Sequence, residues 1–286
     1  MSTPDTIYAK QYGTMVSMLA QQEGSRLRNS VTVKSGVVGE ETYMDQIAAF
    51  EMLSRGSRLA ATDPTLADYS RRRIALEDFY QAKAIDKLDD IRTLADPTSS
   101  IMRSGIAGAG RKLDDLIIAA ANGTAYTGKV GGTSTALPGT QIVVAGGTGL
   151  TLTKWLSALE ILNKNDVDPS DEKYIVIGSQ QLTNLLNTTE IKSSDYNSIK
   201  ALVQGQVDSF LGCTVIRSER LTKVSTTRQV LMYTKSGIGL AVGRDVISRI
   251  DELPTNHYAK QLYFCMAMGA SRLEETKVVE IDCIEV

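Results

Sequence analysis

One histidine, three cysteines and several adjacent carboxylates are the groups in this 286-residue sequence that could carry covalent or proton-transfer chemistry. His257 lies in the polar stretch Pro254-Thr255-Asn256-His257-Tyr258. As a general base it would need a nucleophile and an orienting acid beside it, and the sequence supplies neither. A histidine in a surface turn is the expectation. Cys213, Cys265 and Cys283 are odd in number, far apart and set in apolar runs. They read as buried free thiols of a reducing compartment, not as a disulfide framework. Zinc needs several Cys or His ligands at fixed spacing, which this set does not provide. Asp89-Asp90, Asp114-Asp115 and Glu274-Glu275 are neighbours in sequence. Neighbours on a helix or a strand point apart, so no pair makes a catalytic dyad by itself. Gly105-x-x-Gly108-x-Gly110 differs in order from the dinucleotide fingerprint and falls inside a helical pattern, and Gly237-x-Gly239 falls between strands. No phosphate-loop lysine follows either. The sequence implies no enzyme, no cofactor and no metal.

The chemistry that remains is ionic. Arg71-Arg72-Arg73 is the one basic triplet, and it reads either as a solvated loop or as a patch that meets carboxylates of a second copy. Arg111-Lys112 followed by Asp114-Asp115 suits ion pairs within a helix or between subunits. Arg71, Arg72, Arg73, Arg111, Asp114 and Asp115 are therefore the candidate intersubunit contacts. A formal charge of −2 argues against a dedicated nucleic-acid binder. With 42% hydrophobic and 22% charged residues the chain can bury a substantial core, in two lobes. No run approaches the roughly 18 apolar residues of a membrane span, and the N-terminus lacks the pattern of a signal peptide.

These residues need elements to hold them, and the clearest runs from Asp96 to Gly123. Asp96 suits an N-cap, Pro97 the first helical position and Asn122-Gly123 the C-terminal stop. Met102, Ile106, Ala109, Leu113, Leu116, Ile117 and Ala120 recur at helical spacing. Such a helix spans roughly 38 Å. Gly105, Gly108 and Gly110 each cost helix propensity by about 1 kcal/mol, which predicts a second backbone lying close against it. Residues 1–30 begin with a thin amphipathic helix (Ile7, Met15, Met18, Leu19) that packs on a neighbour. Arg26, Arg28 and Lys34 give this arm a positive bias, fitting a solvated surface or a polyanion. From Val31 to Asp96 the pattern is weak and polar, as in an extended two-stranded excursion that leans on something outside its own chain. Beyond the long helix, the expectations are a short buried strand at Ile142-Val143-Val144 and a helix over 150–164 carrying Trp155. A buried strand at Tyr174–Ile177, a helix near Gln180, a helix over 195–204 and a strand over Phe210–Ile216 follow, in a mixed α/β lobe. The last third reads as strands over 230–233, 238–242, 246–250, 261–268 and 277–286, the final one with a wet face bearing Glu280 and Asp282.

Several of these segments resemble one family. Asp96-Pro97-Thr98-Ser99, the small-residue helix and Arg111-Lys112-Leu113-Asp114-Asp115-Leu116-Ile117-Ile118 resemble the spine-helix segment of tailed-bacteriophage major capsid proteins. Arg249-Ile250-Asp251-Glu252-Leu253-Pro254, His257-Tyr258, Met266-Ala267-Met268-Gly269-Ala270-Ser271-Arg272 and Val278-Val279-Glu280-Ile281 resemble its closing strands. Gln21-Gln22-x-Gly24-Ser25-x-Leu27-Arg28 is similar to its N-terminal arm. The resemblance implies an α+β chain of the Hong Kong 97-type capsid fold. It implies an N-terminal arm over 1–40, an extended two-stranded loop region over 41–95 and a peripheral domain with the spine helix over 96–139. An axial α/β domain would cover 140–240, and return strands of the peripheral domain 241–286. The implied role is self-assembly into hexamers and pentamers of an icosahedral virion shell, built in the bacterial host cytoplasm. Scaffolding, portal and decoration proteins are its implied partners. Packaged double-stranded DNA would be contacted without sequence preference, and no membrane is involved. Some relatives cross-link through Lys and Asn, and no such link is expected here. An encapsulin-like compartment shell shares the fold and stands as the alternative, an unrecognised soluble enzyme as a further one.

Overall fold

The computed structural model describes residues 21–54, 56–58, 64–86, 98–187 and 209–285. The expected N-terminal helix, the Asp96-Pro97 start of the long helix, Asp89-Asp90 and the helix expected over 195–204 lie outside these residues. In chain order the elements are β1 (Thr32–Ser35), β2 (Glu41–Ile47), β3 (Tyr69–Ala75), β4 (Glu77–Ile85), α1 (Thr98–Asn122), β5 (Ala125–Thr127), β6 (Thr133–Thr135) and β7 (Ile142–Val143). There follow α2 (Leu152–Lys164), β8 (Lys173–Ile177), α3 (Ser179–Asn187), β9 (Ser209–Phe210), β10 (Cys213–Arg217), β11 (Lys223–Val224), β12 (Thr227–Thr234), β13 (Ile238–Leu253), β14 (Ala259–Arg272) and β15 (Val278–Ile284). They form sheets of order β1-β13-β14-β4, β2-β3-β5-β6 and β7-β15-β12-β8-β10-β9, the last with β11 beside β12. The chain divides into a first unit (through Ser25, with Asp78–Lys112 and Arg244–Ala267) and a second (Arg26–Glu77, Leu113–Gly243 and Met268–Val286).

In the first unit the glycines of α1 meet the expected second backbone at one of three positions. A Cβ on Gly110 would sit 2.5 Å from Gly24 C and 2.6 Å from Ser25 N, so the arm backbone lies directly on the helix there. At Gly105 the space is taken by the ring of Phe264 instead, which joins Ile85 and Leu262 in a small core covered by Ile101 and Met102. Gly108 meets only the ends of the Arg111 and Gln81 side chains, at 3.5 Å and 3.6 Å. Arg111 Nη1 donates to Gln21 Oε1 and to the Gln22 carbonyl, each at 2.9 Å, and so fastens the same stretch of arm.

The second unit is built on its long mixed sheet. Ile175, Val176, Ile177, Val230, Met232, Val279 and Ile281 are fully buried there, with Trp155 of α2 packed edge-on against Phe210. Thr151 caps α2 by accepting the Lys154 N–H at 3.3 Å. β8 and β10 pair in parallel with α3 in the connection between them, whereas β12 pairs antiparallel with both β8 and β15. At the C-terminal end of α1, Arg272 has no exposure. Its Nη1 donates to the carbonyls of Ala121 (2.8 Å) and Gly123 (2.7 Å), and its Nη2 to that of Thr135 (2.9 Å). A buried cation thereby satisfies carbonyls that the last helical turn leaves open.

Four readings of the sequence change in detail. Phe210–Ile216 is not one strand: Leu211 and Gly212 take φ of 49° and 77° and fold β9 back on β10 as a two-residue hairpin. Val144 is exposed, and Ile142-Val143 is an edge strand only half-buried. The strands expected at 238–242 and 246–250 are one continuous strand, β13. The expected wet face of β15 is dry at Glu280, which is 5% exposed, and half-buried at Asp282.

Gly110→Ala is expected to destabilise the isolated chain by about 1–3 kcal/mol, since backbone must move to admit the methyl. Gly108→Ala is expected to be neutral or stabilising by up to about 1 kcal/mol. Denaturant midpoints of the two variants, measured side by side, check the contrast; equal effects would show that backbone proximity is not what Gly110 provides.

Candidate functional site

Strand geometry divides the basic triplet. β2 and β3 pair antiparallel from Glu41↔Ala75 to Ile47↔Tyr69, and side chains alternate along β3. Arg71 faces Asp45 across the ladder (Nε to Oδ1, 2.5 Å) and lies over the Tyr43 ring at 5.2 Å. Arg73, on the same face, pairs with Glu41 at 2.6 Å. The Arg71 hydrogen bond holds the Asp45 carboxyl below its usual range. Arg72 points the other way, is buried, and donates from Nη2 to Glu275 Oε2 at 2.5 Å. The triplet is therefore neither a loop nor one patch. Two arginines decorate a ribbon, and the third anchors it.

The helical charges also separate. Asp114 has no exposure, and its carboxylate accepts the backbone N–H of Arg26 (3.1 Å to each oxygen) and of Leu27 (3.1 Å). Asp115 accepts both donors of the Arg220 fork, Nε at 2.6 Å. With the Arg111 contacts to Gln21 and Gln22, all six candidate residues have a partner inside their own chain. Arg26, Leu27 and Arg220 all lie outside the helix. Nothing in the sequence pattern marks Asp114 as the arm's anchor, except that a carboxylate there interrupts the apolar positions Leu113, Leu116 and Ile117.

Among the described residues no catalytic geometry emerges. His257 is exposed in a turn at φ 52°. The three cysteines are free; Cys213 and Cys283 are buried and Cys265 is half-buried. Burial pushes the Cys213 thiol up to about 11 and Cys283 to about 12. Among the described residues no three His, Cys, Asp or Glu come together as a metal would need, and no helix is long and apolar enough to cross a membrane. The buried polar groups serve the fold. Lys154 Nζ donates to the carbonyls of Ala145 (2.6 Å), Thr148 (2.8 Å) and Asp282 (2.9 Å), and burial lowers its pKa. Asn122 Nδ2 donates to Gln229 Oε1 at 3.1 Å, and Gln229 Nε2 to Glu280 Oε1 at 2.6 Å. Burial, with the Asp282 charge two residues along the same face, pushes Glu280 up to about 7.

What the surface does present is apolar. Past Ile47 the β2–β3 ribbon continues with the Ala48 N–H donating to the Asp68 carbonyl at 2.9 Å. Beyond that point Phe50, Met52, Leu53 and Leu66 are each at least 80% exposed. Sequence reasoning passed over this cluster because the segment has no period; the run Phe50-x-Met52-Leu53 was its only signal.

Residues 5–285 match the model of a family described as phage capsid protein. The chain belongs to that family. Solved capsids share its fold. The capsid of the cyanophage P-SCSP1u aligns at TM-score 0.76 and 15% identity over 99% of this chain and 94% of that one. The capsid of Ralstonia phage GP4 gives 0.77 and 9% over 100% and 97%. Mycobacterium phage Che8 gives 0.71 and 14% over 96% and 97%. No curated protein matches the chain. The α+β fold is thus that of phage capsids, as the sequence resemblance implies. The family and the fold support a major capsid protein of a tailed phage and do not favour the encapsulin-like alternative.

The Glu280 carboxyl gives this capsid protein a pH signature. Its folded pKa, about 7, lies above the ordinary 4.5, so the folded chain binds the proton more tightly. That contribution to stability is complete below about pH 4.5 and is lost as pH rises through 7. Glu280→Gln keeps the acceptor for Gln229 and removes the ionisation. It is expected to be more stable than the parent at pH 8 by on the order of 3 kcal/mol, with the difference shrinking towards pH 5. Unfolding of both chains across this range checks it; a constant offset would rule the titration out.

Proposed function

We propose that this chain is the major capsid protein of a tailed double-stranded DNA bacteriophage, and that it assembles as hexamers and pentamers into the icosahedral shell around the genome. The observation that carries the reading furthest is the β2–β3 ribbon. A two-stranded ribbon is marginal by itself, and this one carries Phe50, Met52, Leu53 and Leu66 into water at its free end. Apolar surface of that kind is stabilised when a partner covers it, and in a shell the partner is a second copy. Large, repeated interfaces of this type, with no catalytic step, would supply the particle's stability.

In this reading residues 1–40 are the arm and 41–95 the extended loop region. Residues 96–139 and 241–286 make the peripheral domain, and 140–240 the axial domain. Arg71, Arg73, Arg111 and Asp115 serve as contacts that meet neighbouring copies at the rims of the interface, where exposed ion pairs set register more than affinity. Arg72 and Asp114, buried by their own chain, serve assembly by fixing the ribbon and the arm. Scaffolding, portal and decoration proteins are the expected protein partners. The near-neutral charge suits weak, sequence-independent contact with packaged DNA. Assembly would take place in the host cytoplasm and the product would be the virion.

The test is assembly itself. The full chain, expressed alone or with a scaffolding protein, is expected to give closed shells or capsomer rings by negative-stain electron microscopy, and a monomer under both conditions would overturn the reading. Met52→Asp with Leu53→Asp is expected to leave the circular dichroism of the subunit unchanged and to abolish shells. Shells at the parent's yield from that variant would remove the ribbon tip from the interface.

A further inference from the structure

The sheet of order β1-β13-β14-β4 is covered unequally along β13. β1 pairs with Gly239 to Val242, and the Val37 N–H extends the cover by donating to the Val242 carbonyl at 3.2 Å. From Arg244 to Leu253 β13 has β14 on one side, and no strand lies on the other among the described residues. Backbone N–H and C=O groups alternate sides along a strand, so with Val242 turned to β1 the outward residues are 244, 246, 248, 250 and 252. The Val246 N–H agrees, since the Asp245 carboxylate takes it at 2.9 Å. An open edge of this kind is a template for a further strand. This one leaves Ile247 38% and Ile250 51% exposed.

The charges on this edge select the strand that fits it. Arg249 and Asp251 are exposed, and neither has an ion-pair partner among the described residues. Two copies of β13 laid antiparallel must set outward residues opposite outward residues, which leaves few axes. An axis at Arg249, Asp251 or Glu252 puts identical charges face to face, and one at Ser248 puts Asp245 against Asp251. Like charges directly opposite are destabilising. Axes nearer β1 need the Val246 N–H, which Asp245 already holds. An axis at Ile250 has none of these faults. Arg249 then stands opposite Asp251 on both sides of it, Ile247 opposite Leu253 and Ser248 opposite Glu252.

We propose that a second copy of this chain occupies the open edge, the two β13 strands joining antiparallel over residues 247–253 about a two-fold axis at Ile250. The contact is isologous, each Arg249 meeting Asp251 of the partner subunit. Backbone groups of Ser248, Ile250 and Glu252 supply the hydrogen bonds, and the side chains fix the register. The inference goes beyond the shell reading, because it needs two copies and not a closed particle.

Cysteine cross-linking of the full chain tests the axis. Opposed residues of a hydrogen-bonded antiparallel pair have Cα atoms about 5.5 Å apart, within reach of a disulfide. Ile250→Cys is therefore expected to give a covalent dimer on mild oxidation, read on a non-reducing gel. Ser248→Cys, two residues off the axis and so about 14 Å from its own copy, is expected to give none above the parent chain. The parent sets the background from the half-buried Cys265. Adding Arg249→Asp to Ile250→Cys should lower the dimer yield by about tenfold, because carboxylates then face each other on both sides of the axis. Adding Asp251→Arg as well should restore it. No dimer from Ile250→Cys, equal yields at 248 and 250, or a double charge exchange that fails to restore the yield overturns the proposal. Shells that form while position 250 gives no dimer keep the shell reading and defeat the pairing. A dimer from a chain that never forms shells keeps the pairing and defeats the shell reading.

Discussion

A fully buried carboxylate on the long helix, accepting backbone N–H groups from another segment, is the interaction on which much of the second unit depends. Asp114 could not sit without exposure unless its charge were met, and the N–H groups of Arg26 and Leu27 meet it. That fixes the chain just before Leu27, which is itself buried, and Ser30, whose hydroxyl shares a 2.6 Å hydrogen bond with the Tyr233 hydroxyl. From there β1 runs parallel to β13, with Thr32 opposite Gly239. The same helix ends on Arg272, so a buried anion midway and a buried cation at its C-terminus tie it to two further segments. Removing either partner would leave a charge stranded, which is worse than never having placed one there.

The ribbon shows a division of labour along one pair of strands. At its root Ile74 packs with Ala241 and Leu273, with Met44 and Leu76 leaning on them, and Gly269 lets the Ala75 carbonyl approach closely. Along its length the ladders of Arg71 with Asp45 and Arg73 with Glu41 are exposed, and pairs of that kind contribute little to stability. Towards its far end Phe50, Met52, Leu53 and Leu66 are left exposed among the described residues. Burial is thus concentrated at the root of the ribbon and exposed apolar surface towards its far end.

Much of this was legible in the sequence where one physical rule dominated. Helical spacing from Met102 to Ala120, with Asn122-Gly123 behind it, marked α1, and of its three glycines Gly110 announced a backbone lying close against it. Legibility failed where tertiary placement overrode local pattern. Glu280 and Asp282 alternate with apolar residues like a wet face, yet the Gln229 amide satisfies Glu280 from inside. Arg71-Arg72-Arg73 reads as one patch until the two-residue period of β3 splits it. The Leu211-Gly212 turn hid in an apolar run because leucine rarely adopts a positive φ. Asp114 looked like a helix charge because its partners are backbone groups 87 and 88 residues away, which side-chain spacing does not encode.

The thiols carry a consequence of their own. Only the thiolate attacks oxidants or disulfides, and at neutral pH Cys213 and Cys283, pushed to about 11 and about 12, hold almost none. Sealed inside a sheet, they also offer no approach to a partner sulfur. A rise in the surrounding redox potential therefore leaves the covalent connectivity of the sheet unchanged at these two thiols.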